Sequence, residues 1–162
     1  MKGPLPASLD GRVPCRVLAL IVFALLFFSC SLPRIAVLRD PLTPEEHIDL
    51  GVSYEQRGEL EAALKEYGTA AKAMPLAYLY MGNVYFEEKR FPDAERAYRK
   101  AIAKTDSAEA RNNLAWLYYT IGSNLEEAEA LARKAVELSP ESETFKDTLA
   151  KIEEKKREQF QF

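Results

Sequence analysis

The sequence has 162 residues, and its 22 Lys and Arg stand against 25 Asp and Glu, which gives a net charge of −3. This length suits one domain with a short additional segment. The acidic balance argues against nucleic acid as a partner, because nucleic-acid binding depends on clustered positive charge.

The first predicted element is a short apolar run near the N-terminus. Residues 17–28 (VLALIVFALLFF) carry no charge, and three basic residues and one acidic residue precede them. As a helix this run spans about 18 Å, shorter than a bilayer core but long enough for a signal peptide. The small residue Ser29 and then Cys30 follow. Residues 1–29 therefore resemble a bacterial lipoprotein signal peptide.

This resemblance implies that Cys30 becomes the N-terminus and carries a covalent lipid. Ser31 is not acidic, which favours the periplasmic face of the outer membrane over retention in the inner membrane. Two alternatives stay open, an uncleaved signal anchor of the inner membrane and a cleaved, exported chain without lipid. No other cofactor is expected.

Residues 30–43 form a linker by composition, with two prolines and no helical period. From Cys30 onward, 19 Lys and Arg face 24 Asp and Glu, a net charge of −5. The chain therefore has no general attraction to anionic lipids, and we expect the lipid on Cys30 to provide the membrane attachment.

From residue 44 to 140 the sequence repeats three times, with tyrosines 31 and 33 residues apart. Each tyrosine follows a pair of the Leu-Gly type and precedes an alanine. The recurring positions are Leu50, Gly51, Tyr54 and Ala63; Met81, Gly82, Tyr85 and Ala94; and Leu114, Ala115, Tyr118 and Ala128.

This pattern resembles the tetratricopeptide repeat (TPR), a helix–turn–helix unit of about 34 residues with W-x2-L-G-x2-Y…A-x3-F…P. The resemblance implies an all-α fold, a short TPR solenoid of three repeats with a C-terminal capping helix. The predicted units are residues 44–74, 75–107 and 108–140, and residues 141–162 form the capping helix, whose apolar stripe covers the end of the stack. In each unit, the small residue lets the two helices approach closely.

Helix starts are predicted from capping patterns. Thr43 with Glu46 forms a capping box before Pro44. Asp106-x-x-Glu109 and Asn124-x-x-Glu127 are close variants that predict two further starts.

In TPR proteins, the first helices of successive units line a groove that receives peptides or partner helices. By resemblance, the first unit would contribute Ile48, Val52 and Glu55. The predicted partner-binding residues of the second and third units are Leu79, Asn83, Phe86, Asn112, Trp116 and Tyr119. No Lys or Arg accompanies the asparagines, so the family's carboxylate clamp for acidic C-termini is not expected. Whether the aromatic rings face the groove or pack in the core stays open.

Neither a catalytic nor a metal-binding pattern stands out. His47 is the only histidine and occupies a slot where the family has a packing aromatic, and the paired acids lie in predicted solvent faces or first turns. The sequence thus predicts no enzyme. It predicts a lipid-anchored adaptor that binds an unidentified envelope protein or peptide segment. The alternative is a self-associating scaffold subunit, so a homo-oligomer is possible.

Overall fold

The computed structural model describes residues 40–159. The predicted signal peptide, Cys30 and most of the linker lie outside the described residues, so these predictions are untested. Between residues 41 and 159 the described chain is entirely helical apart from turns, which confirms the all-α prediction. The helices are α1 Pro44–Gln56, α2 Leu60–Ala70, α3 Ala77–Glu87, α4 Phe91–Thr105, α5 Ala108–Ile121, α6 Leu125–Leu138 and α7 Glu143–Gln159.

Helices pair as α1 with α2, α3 with α4 and α5 with α6, and the pairs stack in chain order with α7 against the last pair. A three-residue turn joins the two helices of each pair. A left-handed residue is in the middle of the first two turns and at the start of the third. The residue four positions after the repeated tyrosine takes this conformation in every unit: Gly58, Lys89 and Gly122, with φ of 73°, 58° and 68°. None of the described helices is both long and apolar enough to cross a membrane.

The caps follow the sequence in one case and differ in two. The capping box at α1 is confirmed, since Glu46 N–H donates to Thr43 Oγ1 and Thr43 N–H donates to the Glu46 carboxylate. Asp106 does not cap α5, because it ends α4 with φ of 51° and Ser107 accepts from Ala110 N–H instead. Asn124 lies at the N-cap of α6 as predicted, but it is left-handed and its side chain makes no capping bond.

The close approach within each pair depends on a glycine facing a tyrosine ring. A Cβ built on Gly51 would lie 2.4 Å from the ring of Tyr67, and one built on Gly82 would lie 2.4 Å from the ring of Tyr98. Real atoms do not approach so closely, so the ring of the second helix occupies the space that glycine leaves. The small residues predicted at positions 51 and 82 are thus required because the rings of Tyr67 and Tyr98 occupy the adjacent space.

Helix α7 starts two residues later than predicted and buries Phe145, Thr148 and Ile152. Ile152 belongs to the cluster formed by α4, α5 and α6, and Leu149 packs against it. The predicted apolar stripe therefore covers the end of the stack.

Candidate functional site

A cavity of about 260 Å³ lies where α3, α4 and α5 meet. Its walls are Asn83, Phe86, Tyr98, Asn113 and Trp116. We call it the Trp116 cavity. The first helices of the second and third units thus bring together three of the six predicted partner-binding residues, namely Asn83, Phe86 and Trp116.

Two amides link the walls of this cavity. Asn83 Oδ1 accepts from Tyr98 Oη at 3.0 Å and from Asn113 Nδ2 at 2.9 Å. Because Oδ1 takes both bonds, Asn83 Nδ2 is left without a protein partner among the described residues. Asn113 Oδ1 accepts only a long contact of 3.4 Å from Asn112 Nδ2. One donor and one acceptor therefore remain available beside the aromatic rings.

The prediction for Asn112 differs from the structure, which places its neighbour Asn113 in the cavity. Asn112 is only 6% exposed, and its Oδ1 has no hydrogen-bond partner among residues 40–159. Adjacent residues on a helix point about 100° apart, so the choice between them depends on how α5 is rotated in the stack. The sequence analysis did not predict Asn113 or Tyr98 at this cavity. For Asn113, the only available signal was its position next to Asn112.

The two other predicted residues do not line the cavity. Leu79 packs against the main apolar cluster. Tyr119 stacks on Trp116 with ring centroids 4.9 Å apart, so this pair is partly exposed and partly packed. Lys151 Nζ lies 5.5 Å from the Trp116 ring centroid and Lys155 Nζ lies 4.6 Å from that of Tyr119. Because Lys151 is paired with Asp147 at 2.6 Å, the positive charge that α7 adds at this end of the groove comes from Lys155.

A second cavity, of about 410 Å³, lies between α1 and α3. Its walls are Val52, Glu55, Gln56, Tyr80, Asn83 and Glu87. We call it the Glu55 cavity. Asn83 lines both cavities, so they are neighbours along the first helices of the three units. The sequence did not predict Tyr80 or Glu87 at this cavity. It predicted Ile48 in the groove, but Ile48 is buried in the core.

The Glu55 carboxylate is held by a buried ring. Tyr67 Oη donates to Glu55 Oε2 at 2.7 Å, and the Tyr67 ring stacks on Tyr80 at 5.2 Å. Burial, followed by the bond to Glu55, raises the pKa of Tyr67 far above its ordinary value. The hydroxyl therefore stays a donor, and the orientation of Glu55 is fixed at neutral pH.

His47 is buried at 5% exposure in α1, as expected for a packing residue, and its Nδ1 lies 2.7 Å from Glu66 Oε2. Within residues 40–159, no three His, Cys, Asp or Glu side chains lie close enough together to hold a metal ion. The predictions of no cofactor and no catalytic residue stay predictions.

Three comparisons with known proteins bear on this geometry. Residues 79–143 match the family model described as tetratricopeptide repeat. The human protein named Protein O-mannosyl-transferase TMTC2 is 32% identical over 126 residues, which is 70% of this chain and 15% of that protein. The chain therefore spans about 15% of the length of this curated relative.

Two solved structures are similar in fold. The first TPR of Spaghetti (RPAP3), bound to the HSP90 peptide SRMEEVD, has a TM-score of 0.64 and 23% identity over 74% of this chain and 97% of that one. The Sgt2 TPR domain from Aspergillus fumigatus has a TM-score of 0.67 and 17% identity over 74% of this chain and 82% of that one. Residues 79–143 are thus similar to the tetratricopeptide repeat family, and the described chain has the all-α tetratricopeptide repeat fold.

Proposed function

We propose that this chain is an adaptor that binds an extended segment of a partner protein in the Trp116 cavity. The observation that carries the proposal is the free donor of Asn83 and the free acceptor of Asn113 beside two aromatic walls. A peptide bond presents one acceptor and one donor, so this pair of amides can bind a partner backbone. The rings of Phe86 and Trp116 can then hold one apolar side chain, as aromatic anchors do in protein interfaces.

The fold supports an adaptor role. The TPR of Spaghetti was solved with a bound peptide, which shows that a domain of this fold takes a peptide segment. In the chain described here, the cavity has neutral walls, so we assign it an apolar segment with exposed backbone groups.

Trp116 supplies the readout, because it is the only tryptophan in the chain. We expect uncharged, capped peptides with one Phe, Leu or Trp to change its fluorescence when titrated into the full-length protein. Phe86→Ala removes one wall, and Asn83→Asp keeps the acceptor for Tyr98 while removing the free donor. Each change should weaken binding about tenfold, equivalent to about 1.4 kcal/mol.

The matched control is Lys104→Ala, because Lys104 is exposed on α4 and does not line either cavity. Circular dichroism checks that each variant is helical. Binding that is equal in wild type, Phe86→Ala and Asn83→Asp contradicts the proposal, and so does the absence of any fluorescence change across the peptide set.

We also propose that a lipid on Cys30 holds the adaptor in the bacterial cell envelope, at the periplasmic face of the outer membrane. The support is the sequence of residues 1–31, with its short apolar run, its small residue and its cysteine. More than one acyl chain is needed for stable attachment, as lipoproteins of this kind carry. Cys30→Ser should move the protein from the membrane fraction to the soluble fraction. Membrane association that survives this change would favour the uncleaved anchor.

A further inference from the structure

We infer that the bound segment carries a lysine or arginine close to its apolar anchor, and that the Glu55 cavity receives this basic side chain. The inference rests on the proposed function, because it names the chemistry of the segment bound in the same groove. It concerns a different cavity, so the two proposals can fail separately.

The Glu55 cavity offers acceptors and an aromatic wall. Glu55 and Glu87 contribute carboxylates from α1 and α3, Gln56 and Asn83 contribute amides, and Tyr80 contributes its ring. A guanidinium or ammonium group binds both carboxylate oxygens and the face of a tyrosine ring. No Lys or Arg of the described part of the chain belongs to the lining.

Both carboxylates of the Glu55 cavity lack a Lys or Arg partner in the described chain, a property that they share with exposed acids such as Glu61 and Glu109. Most acids of the second and third units have a basic partner, such as Asp93 with Arg90 at 2.9 Å and Glu129 with Lys156 at 2.6 Å. By contrast, neither Glu55 nor Glu87 lies within 4.0 Å of a Lys or Arg of the described chain. Two unpaired carboxylates in one cavity repel each other, and a cation from outside relieves this repulsion.

Glu55 is also partly preorganised for such a cation. Tyr67 holds Glu55 Oε2 at 2.7 Å, and Glu55 Oε1 has no partner in the described chain. A side chain that is already ordered loses less conformational entropy when it binds. The free oxygen of Glu55 can therefore bind a cation at a lower entropic cost than an exposed surface glutamate could.

The groove has opposite charge at its other end. Lys155 of α7 lies over the Tyr119 ring without an acidic partner in the described chain, whereas the carboxylates lie at the end formed by α1 and α3. Lys151, over the Trp116 ring, is neutralised by Asp147 at 2.6 Å. Electrostatic complementarity selects both the partner and its direction in the groove. The basic residue of the segment thus lies toward the first unit, and the apolar anchor lies toward the third.

Because Asn83 lines both cavities, the two side chains of the segment must be near one another in sequence. In an extended peptide, residues two positions apart lie on the same face, separated by about 6.5–7 Å. A spacing of two residues therefore suits neighbouring cavities.

The test uses three capped heptapeptides, Gly-Ser-Phe-Ser-X-Ser-Gly with X as Arg, Gln or Glu, and the full-length protein. Trp116 fluorescence and calorimetry measure the affinities at low salt and at 0.5 M salt. We expect Arg to bind about five- to tenfold more tightly than Gln, and Glu to bind more weakly than Gln. Salt should reduce the difference, since it screens partly exposed charges.

The double variant Glu55→Gln with Glu87→Gln should abolish the preference for Arg while the Gln peptide binds as before. Gln at position 55 still accepts from Tyr67, so the fold is expected to hold. The control is Glu141→Gln with Glu154→Gln, which changes the net charge equally at two exposed positions outside both cavities.

Three outcomes overturn the inference: equal binding of all three peptides, a preference for Glu, or a preference for Arg that the cavity variant keeps. If the Gln peptide still binds and Phe86→Ala weakens it, the proposed function stands while the inference fails. If no peptide of the set changes the fluorescence or releases heat, the proposed function fails first.

Discussion

The first two units and the third unit achieve the same helix approach in different ways. In the first two, a glycine of the first helix lies against a tyrosine ring of the second, as Gly51 with Tyr67 and Gly82 with Tyr98. In the third unit the equivalent positions are Ala115 and Ala132, and both are fully buried in one apolar cluster.

This difference links packing to the groove. The rings of Tyr67 and Tyr98 carry hydroxyls that bond to Glu55 and Asn83, which line the two cavities. Ala132 cannot supply such a bond, and the third unit instead has its buried hydroxyl on the first helix, at Tyr118. A glycine in this position therefore makes room for a tyrosine whose hydroxyl orients a groove residue. The alanine pair of the third unit packs the two helices together but orients no groove residue.

The largest effect is expected from Gly82→Ala, because the new Cβ would overlap the Tyr98 ring and force the helices apart. We expect the free energy of unfolding to fall by about 2–3 kcal/mol. Chemical denaturation measures it. The control is Gly68→Ala in α2, where a Cβ meets nothing within 4 Å, and this variant should be neutral or more stable by about 0.5–1 kcal/mol. Equal effects at the two glycines would show that the ring contact does not matter.

The reverse change tests the third unit. Ala132→Tyr places a ring against Ala115 and should lower the free energy of unfolding by about 2 kcal/mol. Adding Ala115→Gly to the same chain creates the pair found in the other units and should recover more than half of the loss. A double-mutant cycle measures this coupling, and simple additivity would mean that the two positions do not face each other.

Tyr118 makes the stability of the third unit depend on pH in the alkaline range. Its hydroxyl bonds to Glu95 and Arg99 at 2.8 Å, and burial followed by the Glu95 bond raises its pKa to about 12 from the ordinary value of 10. Since the folded pKa is the higher one, its contribution to stability is complete below pH 10 and declines as pH rises to about 12. The stability difference between wild type and Tyr118→Phe should therefore shrink by about 2 kcal/mol between pH 9 and pH 12. A constant difference would contradict this assignment.

Tyr67→Phe separates the two roles of the ring in the first unit. The ring stays against Gly51, but the bond to Glu55 is lost, so the free energy of unfolding should fall by about 1 kcal/mol. The preference for the Arg peptide should also fall, because Glu55 is no longer ordered. Tyr98→Phe is the matched variant, with a similar loss of stability and an effect on the uncharged peptide instead. If the two changes had identical effects on binding, the two tyrosines would not orient different groove residues.

The smallest effect concerns the turns. Lys89 takes the left-handed conformation that Gly58 and Gly122 take in the other units. Lys89→Gly should raise the free energy of unfolding by about 0.5–1 kcal/mol, whereas Gly58→Ala should lower it by about 1 kcal/mol. Thermal unfolding measures both. A loss of stability in Lys89→Gly would mean that the lysine side chain compensates for its strained backbone.

The sequence alone determined the class of fold, because the recurring small and aromatic positions specify helical hairpins whatever their exact rotation. It also placed Asn83, Phe86 and Trp116 on one surface, since residues at helical spacing in equivalent slots share a face. The capping box at Thr43 followed from local chemistry alone. The cap of α5 did not, because Asp106 ends α4 in the left-handed conformation and Ser107 caps α5 instead. Helix α6 begins after Asn124 as predicted, but the left-handed backbone of Asn124 leaves its side chain without a capping bond.

Only the tertiary structure decided which residues meet across helices. It placed Asn113 rather than Asn112 in the Trp116 cavity, because the rotation of α5 about its own axis decides which of two adjacent residues faces the cavity. It paired Tyr67 with Glu55 and Tyr98 with Asn83, which lie 12 and 15 residues apart and come together only when the helices of a unit pack. The two neighbouring cavities and the opposite charges at the two ends of the groove depend on stacking between units, which no single repeat of the sequence contains.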